Sequence, residues 1–179
     1  AILSGSTIGQ LGKLLEIFLL NQGISPTIFE GNYNSYYDEA VFGSEKLDEF
    51  SPDVVYIHTS VRNILDWPNA SDSDKTIESK LDELVSKYAR MWDTLQSKYD
   101  CVIIQNNFEM LHYRMLGNMD SVLATGRQYY IEEANRRLRQ EINKRRAVFL
   151  NDVHYQSAYY GLERWFDDSD WCAFKYPFS

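Results

Sequence analysis

Five short apolar runs, separated by stretches of helical periodicity, restrict this chain more than any other feature. The runs are Ala1–Leu3, Pro26–Phe29, Val54–Ile57, Cys101–Gln105 and Val148–Leu150. They are continuous rather than alternating and rich in Val and Ile, as strands buried on both faces are. Between them, Ile8–Gln22 carries Leu11, Leu14, Leu15, Phe18 and Leu19 at helical spacing and stops at Gly23, a good C′ residue. Thr76–Lys98 places Ile77, Leu81, Leu84, Tyr88, Trp92 and Leu95 on one face, with Ser71 and Asp74 as a candidate capping box. Gln128–Arg145 lines up Ile131, Ala134, Leu138 and Ile142, and shorter helical pieces are expected between Tyr33 and Phe50. Strands alternating with helices through right-handed crossovers predict an α/β fold in three layers, a five-stranded parallel sheet covered on both sides. A length of 179 residues fits one such domain, spanning 1–179.

In a sheet of this kind the ligand site lies beyond the carboxyl ends of the strands. There the chain places Ser4–Thr7, Glu30–Asn34, His58–Ser60, Asn106–Glu109 and Asn151–His154, all strongly polar. Phe108–Thr125 is the longest irregular segment and a candidate lid. The net charge of −8 argues against nucleic-acid binding. The basic cluster of Arg136, Arg137, Arg139, Lys144, Arg145 and Arg146 is interspersed with Glu132, Glu133 and Glu141, which reads as a solvated helix face. No apolar run is long enough to cross a bilayer, and no signal peptide is visible. Two cysteines, Cys101 and Cys172, make neither a disulfide framework nor a metal spacing, so a reduced, cytoplasmic setting is expected, with no metal and no cofactor. The first residue already lies in a predicted strand without an initiator Met, as expected of a fragment.

Ser4-Gly5-Ser6-Thr7 joins the first strand to the first helix, where free N–H groups and the helix dipole converge. A hydroxyl there serves as a nucleophile or an anion ligand, or merely caps the helix. A nucleophilic serine needs a base within reach and a group to orient that base. Of the three histidines, His58 and His154 are predicted at the carboxyl edge, and Asp152 would share a face with His154 if the strand continued. Ser6 with His58 or His154, and Asp152 behind, are therefore the catalytic candidates. Ser4, Gly5, Thr7, Gly31, Asn32, Ser60, Asn106 and Asn107 are the ligand-binding candidates. The terminal segment from Trp171 is apolar and is expected to pack back on the domain or to form a join to another.

The opening Ile2-Leu3-Ser4-Gly5-Ser6-Thr7-Ile8 resembles the first block of SGNH (GDSL-type) hydrolases, with Ser6 at the nucleophile position. Glu30-Gly31-Asn32 resembles their second block, whose Gly offers an oxyanion N–H, and Pro52–Val61 resembles the third. The departures are plain: His58 replaces the Gly of the third block, Ser60 the oxyanion Asn and Val61 the Asp. Phe166-Asp167-Asp168-Ser169-Asp170-Trp171 lacks the His of the usual Asp-x-x-His. Over the whole chain the sequence is similar to the amino-terminal domain of FkbH-like proteins. Gln105–Glu109, Gly117-Asn118, Gly161–Asp167 and Lys175–Ser179 carry that resemblance. It implies a flavodoxin-like (SGNH hydrolase-like) domain preceding a HAD-type domain, in proteins that load a glyceryl unit from a phosphorylated three-carbon donor onto an acyl carrier protein. The Asp-x-Asp nucleophile of a HAD domain is absent from these residues. Three functions follow as expectations. The domain, its triad degraded, binds or positions an acyl, glyceryl or phosphorylated group; or it is an active serine esterase or acyl-transfer enzyme; or it docks the HAD domain or a carrier protein. For an acidic carrier protein, only the helix around Arg136–Arg146 offers a matching patch.

Overall fold

The computed structural model describes residues 1–178. Four parallel strands, β1 (Ile2–Ser4), β2 (Val54–His58), β3 (Val102–Asn106) and β4 (Val148–Asn151), pair side by side in chain order. The α/β class and the parallel sheet are as the sequence predicts, but the sheet has four strands and not five. Pro26–Phe29 forms none. Pro26 has no N–H to donate, and contact with β1 reduces to a single bridge between Ile2 and Glu30. In that bridge Ile2 N–H donates to Phe29 O and Gly31 N–H donates to Ile2 O.

One face of the sheet is fully covered. Leu3, Val55, Ile57, Ile103 and Val148 point into a core closed by α4 (Asp74–Tyr99) and α5 (Arg127–Ile142), with α2 (Tyr36–Val41) and α3 (Glu45–Phe50) beside them. Helix α4 forms because Ile77, Leu81, Val85, Tyr88, Trp92 and Leu95 recur on its buried side. Its cap is Ser73, which accepts Thr76 N–H, in place of the Ser71 expected to cap it.

The opposite face is covered only in part. The registers place Ile2, Tyr56, Ile104 and Phe149 in one row across it. Val54 stays 43 % exposed and Phe149 55 %. Helix α1 (Gly9–Asn21) buries only Gly12. Past β4 the chain forms α6 (Val153–Tyr160), α7 (Leu162–Trp165) and α8 (Asp168–Phe174). The segment after α8 then folds back, as expected of the apolar terminus: Lys175 O accepts Thr7 N–H, and the Phe178 ring stands 5.6 Å from His58 and 4.5 Å from Trp165. The expected lid is anchored rather than free. Phe108 and Glu109 are fully buried, and Asp120 accepts the N–H groups of Leu116 and Gln128. Among the described residues no helix is long and apolar enough to cross a membrane.

Candidate functional site

Strand register makes the site. Ser4 and His58 are direct partners on adjacent parallel strands, and the turn after Ser4 brings Ser6 back over them. Ser4 Oγ donates to His58 O at 3.1 Å and accepts Ser6 N–H at 3.0 Å. Around it, Ser6 Oγ lies 3.1 Å from Ser4 Oγ and 3.4 Å from His58 Nδ1, which is itself 3.3 Å from Ser4 Oγ. Ser4 has one hydroxyl hydrogen and gives it to a carbonyl. Two proton arrangements therefore satisfy the cluster: Ser6 donates to an unprotonated Nδ1, or Nδ1–H donates to a serine oxygen while Ser6 donates to Ser4. Only the first makes His58 a base for Ser6.

Burial lowers the His58 pKa to about 4, so the imidazole is neutral at pH 7 and able to accept a proton. Among the described residues no carboxylate bonds the ring. It stands edge-on to Tyr56 on one side and to Phe178 on the other. Ser6 and His58 are 3 % and 4 % exposed, so the pair is sealed as it stands.

The other catalytic candidates lie elsewhere. Strand β4 stops at Asn151 and the backbone turns helical at Val153, so Asp152 and His154 do not share a strand face. Asp152 caps α6 through Tyr155 N–H and accepts Asn107 Nδ2–H at 2.7 Å. His154 Nδ1 lies 3.2 Å from Phe108 O and 3.4 Å from Asn135 Nδ2, with no bond to Ser6. Ser4, Ser6 and Thr7 do not cap α1, which has no side-chain cap.

Most donors expected to hold an oxyanion or ligand are engaged within the domain. Gly31 N–H goes to Ile2 O, and Gly5 N–H to His58 O. Asn32 gives both its N–H and its Nδ2–H to Glu39 Oε1, at 3.1 and 2.9 Å. Ser60 N–H goes to Asn63 Oδ1, and Ser60 Oγ accepts Arg62 N–H. Asn106 Nδ2–H goes to Thr59 O, while its Oδ1 accepts from Tyr56 and Asn151; Asn107 Oδ1 accepts His154 N–H. These amides tie the strand ends together.

Sequence reasoning missed two supporting residues, Asn63 and Glu39, and placed a third, Glu109, at the sheet edge without giving it a role. Asn63 packs against the Ser4–Thr7 turn and donates to Gly5 O at 3.3 Å. Its signal was Ser60-x-x-Asn63, a capping-box spacing that the structure completes. Glu39 holds Asn32, and its buried Oε2 has no partner. Glu109 accepts Val61 N–H at 3.0 Å with its other oxygen unpartnered, and burial raises its pKa to about 7. No local signal marks Glu39.

Two hollows open beside the site, and both are lined by Arg62. One, of about 270 Å³, runs past Gly5, Tyr36, Asn63, Lys87 and Trp171. The other, of about 210 Å³, is lined by Trp67, His112, Arg127 and Phe166. Arg62 bonds Asp168 at 2.9 Å. Lys87 and Arg127 bond tyrosine hydroxyls, and among the described residues neither has an ion-pair partner. A larger hollow, about 850 Å³, is a groove along α4 that holds none of these residues. Among the described residues no group of three or more His, Cys, Asp or Glu could hold a metal ion.

Fold and site together define a parallel α/β domain with a serine–histidine pair at the carboxyl edge of its sheet. The chain belongs to the family of FkbH N-terminal domains, whose model matches residues 1–179. Its fold is also similar to a crystal structure of the N-terminal part of the protein BF1531 from Bacteroides fragilis, which contains a phosphatase domain and is complexed with Mg. That likeness has a TM-score of 0.84 at 17 % identity and covers 99 % of this chain but 46 % of the other. The chain thus spans less than half of the solved chain it matches. No curated protein matches it in sequence.

Proposed function

We propose that this chain is an SGNH-like amino-terminal module working beside a phosphatase-type (HAD) domain, and that it binds and positions an anionic acyl, glyceryl or phosphorylated group without cleaving an ester. One observation carries the reading: the donors around Ser6 that would stabilise an oxyanion are bonded internally. Losing one such donor costs a serine hydrolase about 10²–10³ in rate, and here several are committed together. The imidazole also lacks an orienting acid. Binding needs neither, and in a chain of net charge −8 the hollows beside the site gather Arg62, Lys87 and Arg127. The phosphatase domain named for the BF1531 structure supports the choice of neighbour. Carrier-protein docking through α5 finds less support. Arg137 is held by Glu78, Asp82 and Glu133, and Arg145 by Asp93 and Glu141.

A second reading, a serine esterase or acyl-transfer enzyme, is favoured by the 3.4 Å contact between Ser6 Oγ and His58 Nδ1. A fluorophosphonate probe separates the two. On the binding reading, labelling is about 100-fold slower than for a serine hydrolase with its oxyanion hole intact, and Ser6→Ala leaves it unchanged. Fast labelling abolished by Ser6→Ala establishes the esterase.

The anion reading has its own check. Titration with inorganic phosphate should perturb Arg62 and its neighbours, and Arg62→Gln should weaken the binding about tenfold, as loss of a charge-assisted hydrogen bond does. Phosphate affinity unchanged in Arg62→Gln, or no binding at millimolar phosphate, counts against it.

A further inference from the structure

A parallel sheet with a bare apolar face is unusual, because such sheets occur almost only with both faces covered. Here Val54 and Phe149 stand exposed on the same face as Tyr56 and Ile104. Helix α1 borders that face, and its orientation follows from its glycines. A Cβ on Gly12 would come within 2.2 Å of Glu30 Oε1, and one on Gly9 within 3.9 Å of Glu30 Oε2, so this side of α1 meets the outer edge beyond β1. At 100° per residue, Leu14 and Phe18 fall on the opposite flank of α1. They are 53 % and 66 % exposed. Strand face and helix flank thus both leave apolar surface exposed, of the kind that marks an interaction site.

We propose that this apolar surface is the seat of the phosphatase-type domain, an inference that rests on the proposed pairing with such a domain and assigns its contact surface. Two observations select that occupant over a second copy of the chain. Most of the similar solved chain lies outside the matched part, and its description names a phosphatase domain. In addition, the segment after α8 arrives on this very face: Tyr176 OH accepts Gln10 Nε2–H of α1, and Phe178 lies against His58, which follows Tyr56 up the same side of β2.

Hydroxyl-radical footprinting tests this, comparing the 179-residue chain with the longer polypeptide that carries the phosphatase-type domain. The expected result is that Phe149, Leu14 and Phe18 oxidise at least about fivefold more slowly in the longer polypeptide. Exposed Leu65 and Tyr159 should react equally in both, and buried Tyr88 should stay unreactive as the check on folding. Phe149→Asp in the longer polypeptide should return Leu14 and Phe18 to their rates in the shorter chain. Equal rates in the two wild-type proteins overturn the proposal. So does protection that appears in the 179-residue chain and rises with its own concentration, because that outcome assigns the face to a second copy. The readout lies on the strand face and α1, away from Arg62 and from the Ser6 hydroxyl, so failure here is distinguishable from failure of the binding reading.

Discussion

Gly5→Ala should destabilise the domain by about 3 kcal/mol, lowering its midpoint of thermal unfolding by roughly 6–12 °C. A Cβ at that position would stand 2.0 Å from Asn63 Nδ2 and 2.4 Å from both Cγ and Oδ1, so it meets the whole amide and not a movable tip. The amide cannot simply swing aside. Its Oδ1 accepts Ser60 N–H and its Nδ2 donates to Gly5 O, and Asn63 is buried. Asn63→Ala removes the atoms that clash, at the expense of two hydrogen bonds. The double variant should therefore be more stable than the sum of the two single changes by about 1–2 kcal/mol. Strict additivity in denaturant unfolding would mean that Gly5 and Asn63 do not meet as described.

The second large effect is a pair of opposed pH dependences. Burial lowers the His58 pKa from its ordinary 6.5 to about 4. The stability this contributes is complete above pH 6.5 and is lost as the pH falls through 4, because the unfolded chain takes up the proton first. Glu109 runs the other way. Its pKa rises from 4.5 to about 7, so its contribution is complete below pH 4.5 and is lost as the pH climbs through 7. Each amounts to about 3 kcal/mol over its window, and between pH 4.5 and 6.5 the slopes are similar in size and opposite in sign. In wild type they largely offset one another there. His58→Asn should expose a loss of stability with rising pH, and Glu109→Gln a loss with falling pH, each of roughly 1 kcal/mol per pH unit. Parallel curves for both variants and wild type across that window would show that neither group titrates as its burial implies.

What the sequence revealed, and what it hid, divides along physical lines. Strands β1, β2, β3 and β4 were legible because continuous Val/Ile runs have no other economical home. Helices α4 and α5 were legible from their buried stripes. Pro26–Phe29 misled because its apolar content looked like a strand, while its backbone forms only the bridge at Ile2 and Glu30. The meeting of Ser6 with His58 could be foreseen, since β1 and β2 are neighbours and both residues stand at their carboxyl ends. The Asp152–His154 pair could not survive a strand that stops one residue too soon. Least legible was the state of the polar groups. Asn32, Ser60, Asn106 and Asn107 read as free donors, and whether they are free depends on Glu39, Asn63, Thr59 and Asp152. Only the folded backbone sets those distances.

The contact between Phe178 and His58 has a thermodynamic consequence. Ser6 and His58 are buried with that ring against His58, so a ligand that displaced the ring to reach Ser6 would bind only domains whose residues 175–178 had let go. Its apparent affinity is the intrinsic one reduced by the fraction of domains in that released state. The relation runs in both directions: whatever holds residues 175–178 away from the sheet strengthens binding at Ser6, and binding at Ser6 loosens the segment by the same factor. Residues 175–178 and the Ser4–Thr7 turn would then share a single equilibrium.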